Sequence, residues 1–100
     1  ERPMKLERRE DGTLWITELS LEELPLLSLG APGTAEGRRV LLALLRGERV
    51  VMPPWAAEYR RYRRTAPGCV YRRFAAMERE LRAMGIVYPG SRKGGGKRCW

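Results

Sequence analysis

Between residues 69 and 85, Val70, Phe74, Met77, Leu81 and Met84 recur at steps of four and three, the repeat of one face of an α-helix. Arg72, Arg73, Arg79 and Arg82 fall off that stripe, and Gly85 supplies a left-handed stop. A second helical pattern runs from Thr34, a good N-cap, to Arg46, with Val40, Leu41, Leu44 and Leu45 as its buried face and Gly47 as its terminator. Between the two, residues 48 to 52 are short and rich in valine and read as a strand that Pro53-Pro54 ends. Pro54 suits the first position of a further helix, in which Trp55, Tyr59 and Tyr62 are spaced by four and three while Arg60, Arg61, Arg63 and Arg64 take other faces. Thr65-Ala66-Pro67-Gly68 breaks that helix. After Gly85, residues 86 to 88 read as a strand, 89 to 96 as a flexible basic loop, and 97 to 100 as a returning strand whose Trp100 closes the core.

The first third is patterned differently. Residues 4 to 8 and 14 to 17 flank Asp11-Gly12, which suits a two-residue hairpin turn, and Trp15 is expected to anchor the buried face of the hairpin. Ser20 and Glu23 have the spacing of a capping box, so a short helix should start there. Pro25, Gly30, Pro32 and Gly33 keep it short and make residues 30 to 33 the best internal boundary. The expected class is α+β: an N-terminal hairpin and short helix over residues 1–33, joined in one compact unit to helices and strands over residues 34–100.

Charge adds a direction to this pattern. The chain holds 20 Lys+Arg against 12 Asp+Glu, a net charge of +8. Residues 1–33 carry 4 basic and 7 acidic groups, whereas residues 60–100 carry 12 and 2, so the last two-fifths concentrates the positive charge. Such a segment calls for a polyanionic partner. Seventeen of the basic residues are arginine, which bonds phosphate through two donors at once but is equally a mark of GC-rich or thermophilic genomes.

Other chemistries find little footing. With no histidine and only Cys69 and Cys99, no four-ligand zinc set exists in one chain, and the cysteines are expected to be reduced thiols in a cytoplasm. No apolar run approaches the ~20 residues of a membrane span, and a first residue that is not Met leads us to expect chain upstream of Glu1. The Gly94–96 loop lacks the spacing of a nucleotide-binding loop. General acid–base catalysis would fall to carboxylates, yet Glu78 and Glu80 are read as ordinary partners of neighbouring arginines. Cys69, near a helix start, lacks a paired base. We therefore expect neither enzyme activity nor a cofactor.

The order helix, strand, helix, tight turn, longer helix, strand, basic glycine loop, strand resembles the winged helix-turn-helix over residues 34–100. Leu81, Gly85, Ile86 and Val87 are similar to the helix end that precedes the wing in many such domains. The resemblance implies duplex-DNA binding by a transcription regulator or a replication or phage accessory factor, in a nucleoid-associated cytoplasmic setting. It implies that Tyr71, Arg72 and Arg73, at the start of the third helix, face the bases. Arg92, Lys93, Lys97 and Arg98 would straddle a neighbouring groove or the backbone, and Arg60, Arg61, Arg63 and Arg64 would hold phosphates. Two-fold DNA sites make a homodimer through the N-terminal hairpin compatible with this reading.

Alternatives remain open. The acidic N-terminal third suits a protein partner, as in an adaptor or polymerase inhibitor, and arginine-rich loops also suit structured RNA. Tyr59, Tyr62, Tyr71 and Tyr88 could stack on unpaired bases, although the helical spacing of Tyr59 and Tyr62 favours half-buried core. Trp15, Trp55 and Trp100 are expected to be structural.

Overall fold

In the computed structural model, which describes residues 4–90, the chain opens on an antiparallel hairpin of β1 (Met4–Arg8) and β2 (Leu14–Leu19). Five residues, Arg9 to Thr13, connect the strands, and the tip enclosed by the Arg9–Thr13 bond has three residues, not the two expected. Arg9 N donates to Thr13 O at 2.9 Å and Gly12 N donates to Arg9 O at 3.0 Å, with Gly12 at φ +89°. This is a turn followed by a left-handed glycine, and Asp11 Oδ1 braces it by accepting from Thr13 N at 2.9 Å. Further along, the register slips from Lys5–Glu18 to Leu6–Ile16, so that Thr17 is an extra residue in β2. The bulge reverses the alternation of faces, which is why Leu14, Ile16 and Leu19 are all buried despite their uneven spacing. Trp15 is consequently on the other side of the strand from the core pair Leu14 and Ile16. It is half-buried, with the Arg9 guanidinium 4.1 Å from its ring centroid, and does not anchor the core as expected.

Two helices follow. In α1 (Glu23–Ser28), Ser20 Oγ accepts from Glu23 N at 3.1 Å, which is one half of the expected capping box. The other half does not form. The Glu23 carboxylate, 2% exposed, turns instead to Gly33 N at 3.2 Å and Thr34 Oγ1 at 3.0 Å. Thr34 Oγ1 in turn accepts from Gly37 N at 3.0 Å and caps α2 (Ala35–Leu45), so one hydroxyl ties both helix starts together. Val40 and Ala43 of α2 are buried, and Leu41 and Leu44 pack against them. Leu45 is 83% exposed, a correction to the expected stripe: five residues beyond Val40, it has turned well away from the buried face.

β3 (Val50–Val51) pairs in parallel with β2, and β4 (Ile86–Val87) pairs in parallel with β3, giving a four-stranded sheet in the order β1-β2-β3-β4. The matched positions Leu14, Val50 and Ile86 are fully buried and share one core with Leu24 and Leu27 of α1, Val40 of α2 and Leu81 of α3 (Gly68–Met84). Gly85 ends α3 at φ +117°. The architecture is α+β, and the pairing of β2 with β3 places the N-terminal hairpin in the same sheet as the rest.

The helix expected after Pro54 is absent. Two short 3-10 turns, Pro54–Ala56 and Glu58–Tyr62, stand there, divided by Ala57 in an extended conformation. Ala57 is fully buried and bridges in parallel to Leu19; that sheet-like pairing pulls the backbone out of helical geometry. The three aromatic residues no longer share a face. Tyr59 is buried at 4% exposure, whereas Tyr62 is 44% and Trp55 68% exposed, so Trp55 is not the core residue it was expected to be. Residues 91–100, with the expected basic loop, return strand and Trp100, lie outside the described residues.

Candidate nucleic-acid interface

The segment that matters most is held by a buried carboxylate. Glu78 lies four residues after Phe74 and three before Leu81, on the apolar stripe of α3, and is 2% exposed. Its Oε1 accepts from Tyr59 Oη at 2.5 Å and from Arg60 Nε at 3.0 Å, and its Oε2 accepts from Arg82 Nη2 at 2.6 Å. Burial alone would raise the Glu78 pKa, but the hydrogen bonds from Tyr59 and Arg82 and the charges of Arg82 and Arg60 together outweigh it and hold the carboxyl below its ordinary range. Burial, and then the bond to the anion, push the Tyr59 phenol upward, so it stays a neutral donor. This cluster was not foreseen as buried. The signal was present in the sequence: a glutamate at a stripe position, one turn before an arginine.

Arg82 extends the cluster to the sheet. Its Nη1 donates to Met52 O at 2.9 Å and Ile86 O at 3.4 Å, and its guanidinium lies 3.7 Å from the Tyr88 ring centroid. Arg82 Nε is buried with no hydrogen-bond partner among the described residues. Arg82 thus fixes α3 to the ends of β3 and β4.

The second 3-10 turn is laid along the first half of α3 by the same contacts. Tyr59 packs on Tyr71 with ring centroids 5.1 Å apart and on Phe74 at 5.9 Å. Thr65 N and Ala66 N both donate to Tyr62 O, at 3.1 and 2.9 Å, and close the reversal that leads into α3. Arg60, Arg61, Arg63, Arg64, Tyr71, Arg72 and Arg73, expected as site residues, are therefore brought together at one reversal of the chain. They are not equivalent. Arg60 is committed to Glu78, and Tyr71 is half-buried against Tyr59. Arg61, Arg63, Arg64, Arg72 and Arg73 are exposed, and none forms an ion pair with a described residue. The Arg72 guanidinium folds back over Gly68, where a Cβ would lie 3.1 Å from it. Arg79, placed off the stripe but not among the expected site residues, is exposed two helical turns beyond Arg72 on the same face. Arg92, Lys93, Lys97 and Arg98 lie outside the described residues.

Between the turn and α3 is an apolar groove of about 230 Å³, walled by Tyr59, Tyr62, Val70, Tyr71 and Phe74, with Leu21, Thr65 and Ala66 completing it. Val70 is 45% exposed at its edge, a departure from the buried position that the α3 stripe predicts. The Tyr62 and Tyr71 hydroxyls have no hydrogen-bond partner among the described residues. Cys69 is an exposed free thiol beside it, and Cys99 is outside the described residues.

Among the described residues, no group of His, Cys, Asp and Glu has the makeup of a metal site, and no helix is long and apolar enough to cross a membrane. No protein-family model matches the chain, and neither the curated proteins nor the solved structures hold a match to it.

Proposed function

We propose that the chain is a non-catalytic nucleic-acid-binding protein that grips a phosphate backbone, that of duplex DNA first, through the reversal at residues 61 to 73. The observation that carries this is the state of its arginines. Five exposed guanidinium groups within thirteen residues have no acidic partner among the described residues, beside two others, Arg60 and Arg82, that a buried carboxylate holds as structure. Unpaired, bidentate donors on a fixed support are what phosphate recognition uses. In this reading α3 does the work of a recognition helix, with Arg72 and Arg73 toward the bases and Arg61, Arg63 and Arg64 on phosphates, while the charges of Arg92, Lys93, Lys97 and Arg98 add to the attraction for a polyanion. A regulator or accessory factor of DNA transactions is the corresponding role.

The test is fluorescence anisotropy with short duplexes at low salt. Replacing Arg61, Arg63 and Arg64 with alanine should weaken all sequences about equally, whereas replacing Arg72 and Arg73 should also relax any base preference. Absence of binding to every duplex and every structured RNA would overturn the proposal. Retention of a protein partner from nuclease-treated lysate, with no nucleic-acid affinity, would favour an adaptor instead.

A further inference from the structure

We propose that the aromatic groove beside the arginine reversal receives an unpaired nucleobase of the bound nucleic acid, an inference that rests on the function proposed above. Three observations converge. The groove is lined by the aromatic side chains of Tyr62, Tyr71 and Phe74, the last two fixed by packing on Tyr59, which gives it an aromatic wall suited to a planar apolar guest. At about 230 Å³ it is smaller than the ~300–1,000 Å³ of pockets for drug-sized ligands, a size suited to a single ring system. The lining is almost wholly apolar, so a guest would be held by stacking and burial rather than by hydrogen bonds to the wall.

Charge decides the class of guest. Arg61 and Arg63 flank Tyr62 in the chain, and Arg72 and Arg73 lie between Tyr71 and Phe74; all four are exposed and form no ion pair with a described residue. A purely apolar peptide side chain would leave those cations unused. A nucleotide presents a planar base and an anionic phosphate on one short tether, which matches rings and guanidinium groups alternating along one segment. A base inside a duplex is covered on both faces by its neighbours, so only a base that is unpaired or turned out of the stack can enter.

Three DNAs of one sequence separate the possibilities: a fully paired duplex, the same duplex with one additional unpaired adenine, and the same duplex with an abasic unit in place of that adenine. Anisotropy titrations with the intact chain should show the unpaired adenine bound about ten-fold more tightly than the abasic form. Tyr62→Ala should erase that difference, read as the ratio of the adenine-form to the abasic-form affinity within the one variant, so that any uniform change in duplex binding cancels; Tyr62 is 44% exposed and outside the fully buried core. Equal affinity for the adenine and abasic forms overturns the groove assignment while leaving phosphate binding intact. Should Tyr62→Ala fail to fold, the abasic comparison on the unaltered chain decides alone. Binding to none of the three would instead remove the underlying function. Concentration-dependent dimerisation lost in Tyr62→Ala, with no base preference, would give the groove to a second copy and also overturn the assignment.

Discussion

At the scale of single residues, Glu78 decides how the candidate interface is built. Removing its charge leaves Arg82, whose side chain is 13% exposed, without its carboxylate beside an already unpartnered Nε. Glu78→Gln should therefore destabilise the fold by about 3 kcal/mol, the scale of breaking a buried ion pair, in urea unfolding near neutral pH. The pH dependence has a definite sign. Because folding lowers the Glu78 pKa from its ordinary 4.5, its contribution is complete above that value and is lost as pH falls through the folded pKa. The native chain should lose stability below about pH 4.5, and Glu78→Gln should be flatter across the same window. An identical acid profile in both proteins would show that Glu78 is not the group responsible.

At the scale of elements, the helix starts show how far local pattern reaches. Thr34 as a cap, Gly47 and Gly85 as stops and the span of α3 are all legible, because each depends on neighbours within one turn. Glu23 was legible only in part: its spacing from Ser20 identified a capping box, but its side chain answers to Gly33 and Thr34, ten and eleven residues away. The segment after Pro54 departs from its local pattern for the same reason. Its aromatic spacing is helical, yet the bridge from Ala57 to Leu19 is a long-range pairing that no local pattern reveals. The thiol at Cys69 and the charge at residues 61 to 73 could be located in the sequence, whereas the groove between turn and helix needed the packing of Tyr59 on Tyr71 and Phe74. Gly37 offers a test at this scale. Helix propensity alone favours Gly→Ala within α2 by about 1 kcal/mol, but a Cβ on Gly37 would collide with the Glu23 carboxylate and with Pro32. Gly37→Ala should lower the thermal midpoint; an increase would mean that the Glu23 contact yields easily.

At the scale of the whole molecule, the sheet and the carboxylate cluster form a fixed support, and positive charge without an acidic partner among the described residues is displayed on the reversal that precedes and begins α3. Phosphate binding of this kind is governed by counterion release: the logarithm of affinity falls linearly with the logarithm of salt, at about 0.9 per phosphate neutralised on duplex DNA. The most direct test is that slope, measured by anisotropy on one duplex for the native chain and for the Arg61→Ala, Arg63→Ala, Arg64→Ala triple variant. A steep slope in the native chain, reduced by about two to three in the variant with the same unfolding profile, is the predicted result. A native slope near zero, or one that the triple variant leaves unchanged, would contradict the assignment of these arginines to a nucleic-acid backbone.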